Sequence, residues 1–395
     1  MSKPIILISK DILMPGYLPT YGNKYWKTPN IDALAANGTV FLKHYTAAPS
    51  TAMAFTSMFT SKYPYQLNRT KYTHEAEYSD STLFDELESQ GYSSHIIWSD
   101  NYMKVAHPFA NCFGHANIHT LDMNQPVGPY IKGLDEICRN DEKADEIIEK
   151  LYVLAKDIIT DNVFLWIHLP HVILGRCSYG DDIDLVDKLV GLLRTIADDD
   201  CFYITADHGN MNGSKGKWVY GFDVYESAIH IPLITPRIDG MPKIDFLTSN
   251  TQLSTLLRER SCTRNDYVIS DSAYYAQPNR NIAIIKDRYK LIYRKLNNSF
   301  ELYDIDFDPQ ENVNMLNRLA YDNERRRYTN VREAYYYPGW GDVEKYHSEL
   351  MDIFNRMYRK TSAKEELVGK TKYIIMRIIG KQFNKHKLKK KVVRK

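Results

Sequence analysis

Short apolar runs, each closed by polar or turn-forming residues, recur through the first 205 residues, and helically spaced apolar positions fill the gaps between them. Residues 5–9 run apolar into Lys10-Asp11, which predicts a buried strand carrying polar groups at its carboxyl end. Thr28-Pro29 followed by Ile31, Leu34 and Ala35 predicts a helix start, and residues 40–45 the next strand. Leu83, Phe84 and Leu87 predict an amphipathic helix stopping near Gly91, before a strand over 94–98. Residues 162–168 predict a strand, 182–197 a helix, and 201–205 a strand running into Ala206-Asp207-His208-Gly209. This alternation implies an α/β fold with a mixed, mostly parallel central sheet flanked by helices. Beyond about residue 240 the segments shorten. Residues 267–270, 281–286 and 289–294 predict a small antiparallel sheet, so the expected domains are a catalytic unit over 1–240, a C-terminal subdomain over 241–320, and a helical extension with a basic tail over 321–395.

Composition narrows the class. At 395 residues and 44% hydrophobic content, with 19 Gly and 16 Pro, the chain is neither disordered nor collagen-like. Five widely spaced cysteines without CxxC indicate neither a disulfide framework nor a zinc ribbon, which favours a reducing, cytoplasmic setting. The N-terminal apolar run is too short for a signal peptide, and no stretch reaches the length needed to span a bilayer. The formal charge of +2 conceals an asymmetry: eleven Lys and Arg lie in residues 370–395, leaving 40 basic against 49 acidic residues in the rest. Ile374, Ile375, Ile378, Ile379 and Phe383 interleave with that charge, a mixture suited to an anionic membrane surface and hence to a peripheral position on the inner membrane face. A solvated terminus packing on the body is the alternative. No reading motif accompanies the basic run, so nucleic acid is not the expected partner.

Three places set acids, imidazoles or hydroxyls near strand ends: Asp11, the Thr51 region and Asp207-His208. Oxygen and imidazole donors in that mixture suit a divalent cation. Their order, with the segments around them, resembles the sulfatase branch of the alkaline phosphatase superfamily over most of the first 320 residues. The helix Thr28-Pro29-Asn30-Ile31-Asp32-Ala33-Leu34-Ala35 is similar to the family's TPNxDxLA, and the stretch ending Tyr63-Pro64 to the segment after its nucleophile. Tyr225-Glu226 through Pro232-Leu233-Ile234, and Glu301-Leu302-Tyr303-Asp304 through Asn312, resemble later family segments.

The resemblance places Thr51 in the nucleophile slot, with Asp11, Asp207 and His208 as ligands of one divalent cation (Mn, Zn, Mg or Ca) whose shell Thr51 completes. His171, in Leu169-Pro170-His171, is implied as leaving-group acid or oxyanion donor; Lys10, His168, Lys217 and Tyr220 are implied as contacts to the anionic ester. Structural roles are the alternatives for His168 and the lysines. The chain departs from the sulfatase pattern at the slot itself, where Cys or Ser becomes formylglycine and Arg follows four residues on: here stand Thr51 and Phe55. Threonine there resembles the phosphoester branch, which includes phosphoethanolamine and phosphoglycerol transferases and nucleotide pyrophosphatases. Asp11 is flanked by Lys10 and Ile12 rather than by a second acid, and Tyr220-Gly221 replaces the His or Lys of many relatives, which argues for one metal rather than two. A hydroxyl needs such an ion, since metal coordination lowers the pKa of bound water by roughly nine units. The expectation is a phosphoester hydrolase or phosphoryl transferase acting through Thr51 on a glycan or lipid-linked glycan. A sulfate-ester hydrolase and a catalytically silent binding protein are the alternatives.

Overall fold

The computed structural model describes residues 2–67, 80–100, 110–123, 139–176, 180–218, 220–272, 279–317 and 340–358, with residues 367 and 371. Among these, nine strands supply a central sheet and the start of a second: β1 (Ile5–Lys10), β2 (Thr39–Phe41), β3 (His44–Tyr45), β4 (Ser93–Ser99), β5 (Asn117–Leu121), β6 (Val163–Leu169), β7 (Phe202–Thr205), β8 (Leu233–Thr235) and β9 (Lys243–Ile244). The eight-stranded sheet has the order β5-β4-β6-β1-β7-β8-β2-β9, and β3 pairs instead with β10 (Thr248–Ser249). Only β8 runs against its neighbours. It follows that β6, β1 and β7, adjacent and parallel, open their carboxyl ends side by side.

Strands buried on both faces read as continuous apolar runs, which is why β1, β6 and β7 were legible. Alternation sorts their side chains: Ile6 and Ile8 enter one core layer with Leu165, Ile167 and Ile204, under helices α1 (Pro29–Asn37), α4 (Asp141–Ile158) and α5 (Ile183–Leu193). Ile5 and Leu7 enter the other with Phe164, Trp166 and Tyr203, under α2 (Thr51–Thr60), α3 (Leu83–Ser89) and α7 (Leu253–Glu259), α6 being the short turn Glu226–Ile229. The predicted strand over 40–45 is two pieces, β2 and β3, belonging to different sheets; an apolar run records burial, not which backbone it bonds. α3 begins as its sequence dictates, with Thr82 and Asp85 forming a reciprocal capping box.

A four-stranded antiparallel sheet follows, β11 (Val268–Asp271), β12 (Asn281–Lys286), β13 (Tyr289–Arg294) and β14 (Ser299–Asp304), covered by α8 (Trp340–Met357). Its seam with the first unit holds a buried charge cluster in which Lys290 bridges Glu226 at 3.0 Å and Glu311 at 2.8 Å. No helix of the described residues is long and apolar enough to cross a membrane.

Candidate active site at the strand ends

Asp11 follows β1 directly, and its backbone N–H bonds Leu169 O at 2.9 Å, so the acid is fixed to the end of β6. The next residue, Ile12, is buried with φ of 60°, a left-handed conformation costly for a β-branched side chain and tolerated only where packing enforces it. The turn therefore holds Asp11 over the sheet edge rather than continuing the strand. Asp207 and His208 follow the end of β7 after Ala206. Gly209 lets this bend pass under the next segment, because a Cβ there would lie 2.1 Å from Ser227 O.

These elements bring ligand atoms of Asp11, Asp207 and His208 within 4.8 Å of one another, all buried. His208 Nδ1 lies 2.8 Å from Gly209 O, a pure acceptor, so Nδ1 carries the proton and Nε2 presents its lone pair to the cluster. Thr51 Oγ1 stands 3.1 Å from that Nε2, and Asp207 Oδ2 and Asp11 Oδ1 lie 3.3 and 3.7 Å from it. Thr51 is the first residue of α2, behind Ser50 in extended conformation, so the amide N–H groups of the helix's first turn have no acceptor within the helix. A helix start and a hydroxyl together suit an incoming anion.

Burial pushes the Asp207 carboxyl well up; His208 opposes the shift and the Asp11 charge adds to it. Two carboxylates this close, out of water, demand either a proton or a cation between them. Asp207 Oδ2 is buried without a hydrogen-bond donor among the described residues. Two carboxylates, one imidazole with a free lone pair and a hydroxyl are a donor set that fits one divalent ion.

His171 reaches the same cluster from the end of β6, with Nδ1 3.7 Å from Asp11 Oδ2, and burial holds its pKa below the ordinary imidazole value. Tyr220 also arrives, its ring centroid 4.5 Å from that of His208. Lys10 and His168, two of the other expected substrate contacts, do not. Lys10 is 3% exposed and donates to Pro170 O at 2.7 Å and His171 O at 2.9 Å, beside Asp182 at 3.2 Å. Its ammonium is committed inside the protein. His168 is buried with Nδ1 2.9 Å from Ser9 Oγ, which accepts from Trp166 Nε1, and burial lowers its pKa to about 3. It stays neutral and structural. Lys217 pairs with Asp223 at 2.7 Å.

Phe55, standing where the sulfatase pattern wants Arg, is fully buried with its ring 4.7 Å from both Trp166 and His168. An apolar wedge thus replaces the cation one helical turn behind Thr51. Sequence reasoning did not single out Asp182, the first residue of the helix expected over 182–197. Its carboxylate accepts Ile173 N–H at 2.9 Å and meets Lys10.

A largely parallel sheet thus gathers acids, an imidazole and a helix-borne hydroxyl at its carboxyl edge. Residues 3–172 match the Sulfatase family model. An N-acetylgalactosamine-6-sulfatase of Sus scrofa is 24% identical over 393 residues, covering 78% of this chain and 75% of that one. Two solved structures share the fold: a 2-O GAG sulfatase (TM-score 0.63, 15% identity, 90% of this chain and 93% of that one) and the phosphonate monoester hydrolase of Agrobacterium radiobacter (TM-score 0.64, 14% identity, 90% and 96%). Over residues 3–172 the chain is thus similar to the sulfatases in sequence, and over most of its length it shares their fold.

Proposed function

We propose that the chain is a phosphoester hydrolase or phosphoryl-group transferase in which Thr51 is the nucleophile and Asp11, Asp207, His208 and Thr51 hold one divalent cation. The observation that carries this is the Thr51 hydroxyl 3.1 Å from the lone-pair nitrogen of His208, among two buried carboxylates. When bound, the cation would lower the pKa of the hydroxyl and offset the charge of the ester. Nitrogen among the donors favours Zn or Mn over Ca.

The residues supply the rest. The α2 amides face the anionic group and orient it. Thr51 Oγ1, its proton lost to solvent, forms a bond to phosphorus as the bond from phosphorus to the leaving alcohol oxygen breaks. His171, set beside Asp11, gives a proton to the departing oxygen. Water or an acceptor alcohol then attacks the phosphorylated Thr51, restoring the hydroxyl and releasing phosphate or the transferred ester. The names of the relatives support a sugar-borne anionic ester as the substrate.

Purified protein supplied with Mn²⁺, Zn²⁺, Mg²⁺ or Ca²⁺ should turn over a phosphate monoester or diester faster than the matching sulfate ester. Turnover confined to sulfate would defeat the reading, and none with any ester or metal would favour a silent binding protein. The absence of Cys or Ser at position 51 is what weighs against sulfate.

The interleaved apolar and basic residues of the 370–395 segment, which lies almost wholly outside the described residues, support docking to the anionic cytoplasmic face of a membrane. Deleting it should weaken co-sedimentation with phosphatidylserine vesicles and leave rates on soluble esters unaltered; equal sedimentation removes the docking role.

A further inference from the structure

The loop that brings Tyr220 onto His208 carries two more rings that nothing in the reaction has used. Trp218 is 73% exposed and Phe222 52% exposed, high values for residues whose burial is worth so much elsewhere in this core. The backbone beneath them is anchored. Phe222 O accepts from Asn281 Nδ2, the following Asp223 pairs with both Lys217 at 2.7 Å and Arg294 at 3.0 Å, and the Trp218 ring lies against Gly213. Both rings thus face solvent beside these anchored residues.

They are also held at the site. Tyr220, between them, touches His208, and Gly221, with φ of 94°, comes so near Ser50 that a Cβ added there would lie 4.0 Å from the Ser50 Cβ. Residues 220–221 thus stand beside His208 and Ser50, with exposed Trp218 two residues before Tyr220 and exposed Phe222 directly after Gly221.

We propose that Trp218 and Phe222 are a stacking platform that binds the sugar ring of the ester whose anionic group reaches Thr51, so that they set which alcohol is presented to the nucleophile. Two exposed rings close in the chain to a phenol, with the Lys217–Asp223 ion pair and Ser50 beside that segment, match a ligand with an apolar face and a hydroxyl-bearing rim. An acyl chain would need a continuous apolar groove. The Lys217–Asp223 ion pair next to Trp218 in the chain interrupts one. The identity of the anionic group rests on the function proposed above; the platform itself is tested by binding alone.

Wild-type protein and the Thr51→Ala variant would be titrated, by intrinsic fluorescence and calorimetry, with N-acetylgalactosamine 6-phosphate, its 6-sulfate and methyl phosphate. Covering much of one indole face corresponds to about a tenfold gain in affinity. The sugar esters should bind at least about tenfold more tightly than methyl phosphate in both proteins, with a change in Trp emission. That advantage should vanish in Trp218→Ala/Phe222→Ala and persist in Tyr25→Ala, which removes another exposed ring. An advantage that survives the double substitution, or sugar esters that bind no better than methyl phosphate, overturns the platform. If Thr51→Ala binds normally but also turns over normally, the nucleophile assignment fails while the platform stands.

Discussion

Thr51→Ala should lose turnover by a factor of about 10⁴ or more, the scale seen when an enzyme loses the group that bonds to its substrate. The fold should survive, because the Thr51 side chain is only partly buried and the helix behind it is held by Ala52, Phe55, Met58 and Phe59 in the second core layer. Unchanged far-ultraviolet dichroism and a melting temperature within a few degrees of the parent are the controls. Thr51→Ser keeps the hydroxyl and should retain most of the rate, whereas a mechanism in which Thr51 merely lines the site predicts that alanine and serine behave alike. Trapping phosphate on residue 51 in acid-quenched protein, detected as an increase in the mass of its peptide, would locate the bond directly. Full activity in Thr51→Ala would remove the residue from the chemistry and leave the His208 lone pair without its proposed partner.

The cluster of acids and imidazoles was legible because three apolar runs announce their own strands, and because parallel strands present their carboxyl ends together. Asp11, His171 and Asp207-His208 each sit within a few residues of such an end, so once β6, β1 and β7 are neighbours the acids and imidazoles must converge. Less was legible where burial is uniform. Nine of the ten residues of α2 are buried, so no polar stripe marks the helix that carries Thr51, and its periodicity could not be read. Nor does any residue type signal that β8 runs antiparallel, since direction is a property of the connections. Lys10 was misread for a related reason. A lysine at a strand end reads as accessible charge, and only the return of the chain 160 to 172 residues later shows that carbonyl oxygens and Asp182 enclose its ammonium.

That enclosure makes Lys10→Ala the second large effect. Lys10 and Asp182 have side chains 3% and 0% exposed, and removing one partner of a buried pair costs about 3–5 kcal/mol because the other charge is left without compensation. The loss should depend on pH in a defined direction. Burial already raises the Asp182 pKa, while Lys10 and the Ile173 N–H pull against it; without the lysine the folded-state value rises further above the unfolded one. A carboxyl with a raised folded pKa keeps its stability below the unfolded value of 3.8 and loses it as pH climbs through the folded value. Lys10→Ala should therefore lie nearest the parent in acid and fall furthest below it at neutral pH, as read from urea melts at several pH values. Lys10→Met/Asp182→Leu supplies the separation of fold from function. It removes both charges, so stability should recover most of the deficit, yet Pro170 O and His171 O still lack their donor and the His171 loop is no longer tied to β1. Recovery of stability with a persistent loss of turnover makes Lys10 a positioning residue for His171. If turnover recovers in step with stability, the lysine serves the fold alone.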